Sequence, residues 1–368
     1  MAEYDGTGRR PIGRGWIVLG IVAVLLLLAA VIPSPFAIER PGPVVDAFGE
    51  YPGLDGEAAQ VIRIDGVETY PADGALNVLS VTVQGTPEDP VSWLALSGTL
   101  FDPTRTAVPL GELFPDGMTA EERAAQGAEM MRVSQISATA AALGEAGYPV
   151  TERLRVVSVQ GGGPADGELR AGDTIVQANG ADVHDFAGLQ AAIRDAAPGA
   201  AIVLGIERRG RELEARIVPK TLDDGTRRLG VGVGPDFSFP FDVDFELESI
   251  GGPSAGLTFA LAIYDLLTPE EITGGARVSA TGTITADGAV GAIGGLAQKL
   301  WGASFAGGGV VLMPMENCAD VPDRVPDDVR LVPVATLDEA IEALDALAHD
   351  GAVPGLERCS AVGARAGE

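Results

Sequence analysis

Lysine is nearly absent from this sequence. Of 25 basic residues, only Lys220 and Lys299 are lysine, and they stand against 52 acidic residues. The resulting formal net charge is -27, and no basic cluster occurs beyond the N-terminus. Such a surface repels phosphate backbones and anionic lipid headgroups. We therefore expect no nucleic-acid partner.

Histidine and cysteine are equally scarce, with two residues of each. Neither His184 nor His349 lies in a segment with the features of an active site, which argues against a Ser-His-Asp triad. So few potential ligands also exclude a zinc cluster, and we expect no metal.

No G-x-x-x-x-G-K-[ST] motif occurs, so the chain is predicted to use no nucleotide cofactor and to hydrolyse no ATP. Cys318 and Cys359 are compatible with one disulfide or with two separate thiols.

The longest apolar run, WIVLGIVAVLLLLAAVI, lies near the N-terminus at 16–32. A bilayer core needs roughly 20 apolar residues, so the run and the residue after it predict a transmembrane helix over 16–33. Three arginines precede it, which places residues 1–15 in the cytoplasm and the rest of the chain outside the cell membrane. A cleaved signal peptide is the alternative, but the run exceeds the usual ~7–15 apolar residues and no clean cleavage site follows.

The next segments are β-rich and then helical. Residues 34–74 include ERPGPVVDA, whose prolines forbid helix and predict an extended linker. The runs ALNVLSVTVQ (75–84) and WLALSGTLF (93–101) are typical of strands. Thr119 and Glu122 form a capping box that predicts the start of a helix.

Residues 148–222 predict a small β-rich unit with two strands, an Asn-Gly turn, a short helix and a hairpin. This order resembles bacterial PDZ domains, and the likeness is carried by Gly163-Pro164-Ala165, Leu169-Arg170-Ala171-Gly172-Asp173 and Asn179-Gly180. The resemblance implies binding of extended peptides by strand addition. The one candidate for the family's carboxylate-binding loop is Gly147-Tyr148-Pro149-Val150, so Tyr148 and Val150 are predicted to contact peptide.

From residue 225 onward, strands alternate with helices as in a mixed α/β domain. FDVDFELE (241–248) alternates strictly and predicts a strand with one apolar face, and GGPSAGLTFALAIYDLL predicts a loop that enters a buried helix. Thr268-Pro269-Glu270-Glu271 predicts a further helix start. VSATGTI and GVVLMP predict short buried strands. A last helix is expected over 337–348, before a tail at 349–368.

Ser254 is a candidate nucleophile. It lies in Gly252-Pro253-Ser254-Ala255-Gly256, a glycine-rich corner that leads into a helix. A serine at such a corner is exposed, and the unpaired N–H groups of a helix start can hold an oxyanion. The alternative is a serine that merely caps those N–H groups.

Lys299 is the candidate general base. A lysine can take a proton from serine only if its pKa falls to ~7–8 through burial and distance from carboxylates. Its neighbours in GGLAQKLWGA are apolar, and no acidic residue occurs between Asp287 and Glu316. Arginine does not deprotonate in proteins and could not replace it. The alternative is a lysine that merely extends its amine to water from a helix surface.

Residues 249–348 resemble the proteolytic domain of Lon proteases, which use a Ser-Lys dyad. The likeness is carried by Gly252–Gly256, by Thr281-Gly282-Thr283-Ile284, by Gly291-Ala292-Ile293-Gly294-Gly295-Leu296-Ala297-Gln298-Lys299, by Val311-Leu312-Met313-Pro314 and by Glu316-Asn317. The resemblance implies that Ser254 is the nucleophile, that Lys299 is the base, and that the Thr281 hydroxyl helps to hold the amine. The family often has an acidic residue in place of Gly251 and glutamate in place of Thr283. These differences affect the tuning of the site and the access of substrate, and they leave the catalytic pair intact.

Met131, Ser134 and Ala138 also resemble an early Lon helix. If so, 75–147 and 225–348 form one fold, and the PDZ-like unit is inserted into it. The order of anchor, PDZ-like unit and Lon-like domain resembles the membrane-anchored, PDZ-containing Lon-like proteases of Gram-positive bacteria.

The predicted fold is therefore an α/β (α+β) Lon-protease-like domain with a small PDZ-like domain and one transmembrane helix. The predicted function is an ATP-independent serine endopeptidase acting on polypeptides outside the cell, and the family implies hexamers. The alternatives are an inert surface scaffold that binds peptide termini, and a protein that cleaves only itself.

Overall fold

The computed structural model describes residues 14–52, 58–197, 199–222, 225–247, 251–351, 353 and 355–359. In these ranges the α-helices are α1 (Arg14–Val31), α2 (Trp93–Ser97), α3 (Leu110–Leu113), α4 (Ala120–Glu145), α5 (Phe186–Asp195), α6 (Gly256–Leu267), α7 (Leu296–Phe305) and α8 (Leu337–Asp350). The strands are β1 (Phe36–Asp46), β2 (Glu50–Pro52), β3 (Ala58–Gln60), β4 (Ile62–Asp65), β5 (Ala75–Gln84), β6 (Thr106–Pro109), β7 (Thr151–Val159), β8 (Thr174–Ala178), β9 (Ala181–Asp182), β10 (Ile202–Arg208), β11 (Arg211–Ile217), β12 (Lys220–Thr221), β13 (Arg227–Arg228), β14 (Val231–Ser238), β15 (Asp242–Phe245), β16 (Arg277–Ala280), β17 (Thr283–Ile284), β18 (Val290–Gly291), β19 (Gly309–Pro314) and β20 (Val329–Val334).

The described chain groups into two compact units. The first combines Met1–Arg63, Thr69–Ala138 and Asp244–Glu368, and the second combines Ile64–Glu68 and Thr139–Val243. The first unit is therefore assembled from segments on both sides of the second in the sequence. Its largest element is a six-stranded mixed sheet in the order β20-β19-β16-β5-β1-β6.

The parallel strands β16, β19 and β20 contain apolar runs because helices cover them. Helix α7 packs on β1, β5, β19 and β20, and its Leu296 and Leu300 join Val311 and Met313 in a buried cluster. Helix α6 packs against α8, β5 and β16. The predicted apolar helix after the GPSAG corner is confirmed, because ten of its twelve residues are buried.

The second unit contains a sheet in the order β11-β10-β8-β7-β14, with β9 paired to β8. Its strands, the helix α5 and the hairpin follow the order predicted for a PDZ-like fold. Asn179 and Gly180 both have positive φ angles, as the predicted two-residue turn requires. The predicted boundary near residue 225 is wrong, because β14 pairs with β7 and thus belongs to this sheet.

Two further predictions before residue 120 are corrected. The predicted linker at 34–74 contains β1, which is extended as its prolines demand but hydrogen-bonded between β5 and β6. The predicted strand at 93–101 is the short helix α2 followed by a 3₁₀ turn. The Ser92 side chain accepts a hydrogen bond from Ala95 N at 3.2 Å and caps this helix. A short apolar run does not distinguish strand from helix by its periodicity.

The two predicted capping boxes have different outcomes. Glu122 N donates to Thr119 Oγ1 at 3.2 Å and Thr119 N donates to Glu122 Oε2 at 2.9 Å, so the first is confirmed. The second is wrong, because Thr268 is the C-terminal cap of α6 and no described helix begins there. Glu271 instead accepts hydrogen bonds from Gly74 N and Gly275 N, each at 2.9 Å. The last helix, α8, is capped by Thr336 and continues to Asp350, two residues beyond its predicted end.

The apolar N-terminal run forms α1, and no residue of this helix is buried. Among the described helices, α1 alone is long and apolar enough to cross a membrane, and a signal sequence would share these properties. The predicted strand at 241–248 is β15, and Glu248 lies outside the described residues.

Cys318 and Cys359 form a disulfide, which decides between the two alternatives left by the sequence. We expect Cys359→Ser to lower the free energy of unfolding by about 2–4 kcal/mol, because the bond constrains the unfolded chain. Chemical denaturation measures the change, and the double variant with Cys318→Ser should match the single one. Equal stability of the wild-type protein with and without reductant would contradict this prediction.

Candidate active site

Ser254 lies in a 3₁₀ turn, Pro253–Ala255, that leads directly into α6. Its carbonyl oxygen accepts hydrogen bonds from Gly282 N at 2.9 Å and from Thr281 Oγ1 at 3.1 Å. The turn is thereby fixed to the segment that follows β16. Within the described residues, no side chain caps the turn or α6, and the N-cap residue of the helix is Ala255. Ser254 therefore does not have the capping role that the alternative interpretation assigned to it.

Lys299 lies on α7 with only 3% of its surface exposed. Its Nζ donates a hydrogen bond to Thr281 Oγ1 at 2.9 Å. Burial lowers the pKa of this amine from 10.5 to about 7, because the charged form loses its hydration. The amine is thus available as a base near neutral pH.

Thr281 connects the two candidate residues. Its hydroxyl accepts from the Lys299 amine and donates to the Ser254 carbonyl, and the residue itself is fully buried. Ser254 Oγ makes no direct hydrogen bond to Lys299 Nζ in the described part of the chain. Catalytic hydrogen bonds are often formed only when substrate is bound.

Glu39 is a neighbour of Lys299 that the sequence did not indicate. It lies on β1, in the segment predicted as a linker, and its carboxylate raises the pKa of Lys299 against the larger effect of burial. Burial raises the pKa of Glu39 itself, whereas the charges of Arg123 and Lys299 lower it. The acid-free stretch around Lys299 therefore does not keep every carboxylate away, because the sheet brings one from a distant strand.

A groove of about 1300 Å³ lies beside Ser254 in the first unit, and Gly252 and Pro253 form part of its wall. Further apolar lining comes from Val81, Val83, Leu113, Phe114, Met118, Met130, Met131, Phe245 and Leu247. Met131 and Ser134 are buried on α4, and Ser134 Oγ donates to Pro253 O at 3.0 Å. Helix α4 is thus bonded to the turn that carries the candidate nucleophile.

The sheet of the second unit has two terminal strands, β11 and β14. Tyr148 and Val150 lead into β7, which lies between β8 and β14. The Tyr148 ring instead packs edge-to-face on Phe241, with ring centres 5.0 Å apart. Of the two terminal strands, β14 contacts α5. Strand addition uses a terminal strand of a sheet, and the predicted peptide contacts Tyr148 and Val150 precede an internal strand.

Gly256 is required by close packing at the start of α6. A Cβ there would lie 2.7 Å from Ser134 Oγ, 2.9 Å from Ile284 Cγ2 and 3.1 Å from Ile284 N. We expect Gly256→Ala to lower the free energy of unfolding by about 1–3 kcal/mol, because an inserted methyl strains a packed site. Peptide cleavage should fall at least about tenfold, since Ser254 is two residues away.

Gly144→Ala is the matched control, because no atom of the described chain lies within 4 Å of a Cβ at that helical position. It should leave activity unchanged and stability unchanged or higher by up to about 1 kcal/mol. Thermal unfolding and a peptide assay compare the two variants. If both behave alike, the packing argument at Gly256 is wrong.

Residues 249–347 match the family described as the Lon protease (S16) C-terminal proteolytic domain. Residues 131–218 match the PDZ domain family. The first match agrees with the predicted 249–348 to within one residue, whereas the second begins 17 residues before the predicted start of the PDZ-like unit at 148. The chain thus has a region of homology to a serine peptidase domain and a region of homology to PDZ domains.

Similar proteins include the Lon protease of Xanthomonas oryzae, 43% identical over 122 residues, which are 31% of this chain and 14% of that protein. Lon protease 1 of Bacillus subtilis is 34% identical over 119 residues, 30% of this chain and 15% of that protein. The PDZ domain of an SdrC-like protein from Listeria monocytogenes is 22% identical, with 22% of this chain and 85% of that chain covered and a TM-score of 0.21. The chain therefore corresponds to a small part of the curated relatives' length.

Proposed function

We propose that this protein is a serine endopeptidase with Ser254 as nucleophile and Lys299 as general base. The observation that carries the proposal is the buried Lys299 amine, hydrogen-bonded to the Thr281 hydroxyl, which in turn donates to the Ser254 carbonyl. A lysine in a surface role would not be buried, and its pKa would not fall to about 7.

In the proposed reaction, neutral Lys299 takes the proton of the Ser254 hydroxyl while Oγ attacks the scissile carbonyl carbon. The lysine ammonium then gives this proton to the leaving amine, and an acyl-enzyme remains. Water attacks the ester with Lys299 again as base, and the proton returns to Ser254 Oγ as the acid product leaves. At the start of the 253–267 segment the Gly256 and Leu257 N–H groups donate to Pro253 O and Gly282 O. The N–H groups of Ser254 and Ala255 are therefore the ones proposed to bind the developing oxyanion.

The second unit is proposed to select polypeptides through the free edge of β14. Helix α1 is proposed to anchor the chain in the cell membrane, with the catalytic region outside. The Cys318–Cys359 disulfide fits an oxidising exterior.

The sequence has no P-loop, so cleavage is proposed to need no ATP hydrolysis by this chain. Assembly into hexamers is proposed from the family alone.

A serine-directed phosphonate reagent tests the proposal on the full chain in detergent. We expect a mass increase that maps to Ser254 and that disappears in Lys299→Met, whose side chain is similar in length but cannot accept a proton. Labelling at other serines only, or equal labelling without Lys299, would overturn the dyad. A rise in mass of Ser254→Ala over the wild-type chain would reveal self-cleavage.

The pH dependence of cleavage should respond to Glu39. We expect Glu39→Gln to move the acidic limb of kcat/KM to lower pH, because removing the carboxylate lets burial lower the Lys299 pKa further. The exposed Glu50 on β2 provides the control Glu50→Gln, which should leave the profile unchanged. A peptide assay from pH 5 to 9 measures both, and a shift to higher pH would contradict the assignment.

A further inference from the structure

An uncharged surface segment adjoins the end of α1. Residues 92–101 read SWLALSGTLF and contain no charged side chain, although 21% of the whole chain is charged. Four large apolar side chains of this segment are exposed: Trp93 by 44%, Leu94 by 43%, Leu100 by 80% and Phe101 by 87%. These four residues are called the 93–101 surface below. Such a cluster is unusual in contact with water and marks an interaction site.

The backbone holds this surface at the end of α1. Trp93 N donates to Ile32 O at 3.3 Å, and Ser34 N donates to Val91 O at 2.8 Å. The Trp93 ring also packs edge-on against Phe36, with ring centres 6.3 Å apart. The position of Trp93 along the axis of α1 is therefore fixed by direct contacts, and the short helix α2 and the 3₁₀ turn connect Leu100 and Phe101 to it.

That position corresponds to the boundary between lipid and water. Helix α1 has 18 residues. At the helical rise per residue it is about 27 Å long, close to the thickness of about 30 Å of a bilayer core. If α1 crosses the membrane, Ile32 emerges at the outer interface, and Trp93 lies at the same depth. Tryptophan is enriched at this depth because its ring is amphipathic, and uncharged apolar residues can enter the adjoining acyl region.

We propose that the 93–101 surface inserts into the outer interface of the membrane and gives the first unit a second attachment beside α1. Glu88 and Asp89 precede the surface, which favours zwitterionic over anionic headgroups. The inference rests on the membrane anchor proposed above. It predicts that the first unit is held against the bilayer and does not swing on a single helix.

The test uses the full chain in phosphatidylcholine vesicles with bromine near the top of the acyl chains. The variant Trp16→Phe/Trp301→Phe keeps Trp93 as its one tryptophan. We expect brominated lipid to lower its emission at least about twofold relative to unbrominated lipid, because Trp93 lies at the interface. The matched reporter Trp16→Phe/Trp93→Phe, which keeps Trp301, should be unaffected.

The double variant Leu100→Glu/Phe101→Glu, made in the Trp93 reporter, should lose most of this quenching, while Phe186→Glu on α5 should not. Both changes are at exposed positions, so folding is preserved.

Vesicle flotation separates the two proposals. If the chain floats but Trp93 is not quenched, the surface proposal is overturned and the anchor stands. If Trp93 emission shifts to the blue without quenching, a protein contact covers the surface and the surface proposal is likewise overturned. If the chain does not float, both proposals fall.

Discussion

We expect Ser254→Ala and Lys299→Arg each to lower kcat/KM for an unfolded protein substrate by at least about a thousandfold. Alanine removes the nucleophilic oxygen. Arginine keeps the positive charge but cannot become neutral at working pH and therefore cannot take the serine proton. The two residues act in the same proton transfer, so the double variant should be no less active than either single variant.

The chain offers a matched control for the lysine. Lys220 is exposed on β12, and Lys220→Arg makes the same chemical change outside the proposed site. It should keep full activity. Release of fluorescent peptides from labelled casein measures all four variants, with circular dichroism as the check on folding. Full activity in Ser254→Ala would refute the proposed nucleophile.

The second large predicted effect is that of Lys299→Met on the free energy of unfolding. We expect Lys299→Met to be more stable than the wild-type chain by about 3–5 kcal/mol at pH 7, since each unit of pKa shift is worth ~1.36 kcal/mol. The shift from 10.5 to about 7 means that folding disfavours the protonated amine. Methionine fills a similar volume and carries no such cost.

The pH dependence gives the sign of this effect. The unfolded chain binds a proton at Lys299 below pH 10.5, whereas the folded chain binds it only below about pH 7. The wild-type stability therefore falls as the pH decreases through this interval and is level below it. The extra free energy of unfolding of Lys299→Met over the wild-type chain should be largest at pH 7 and below. This difference should disappear as the pH rises towards 10.5.

Urea denaturation in detergent at several pH values measures this difference, with Ser254→Ala present in every variant to prevent self-cleavage. Lys220→Met is the control and should show no comparable gain, because Lys220 is exposed. A Lys299→Met variant that is less stable than its parent at pH 7 would show that the amine stabilises the fold as a charged group.

The local features of the site could be predicted because they depend on short segments. The GPSAG corner places Ser254 directly before α6, because glycine permits the positive φ angle of Gly252 and Pro253 supplies a φ angle suited to a helix start. The apolar neighbours of Lys299 predicted its burial. The hairpin, the Asn-Gly turn and the Thr119 capping box were likewise predictable from contacts within a few residues.

The errors concern segments whose role is set by distant partners. Residues 36–46 are extended in either interpretation, and only pairing with β5 and β6 makes them strands of the sheet. Thr268-Pro269-Glu270-Glu271 has the residues of a capping box, but Glu271 binds the backbone of Gly74, which is remote in the sequence. No local pattern encodes such a bond.

The sequence by itself thus determined which candidate groups the site contains: a serine at a tight corner and one lysine among apolar neighbours. Tertiary structure decided their environment. It placed Thr281 between them, brought Glu39 to the amine, and formed the groove from α4 and the residues before Ser254. The physical reason is that the pKa of a buried amine depends on all charges and dipoles around it in space, and these come from parts of the chain that are remote in sequence.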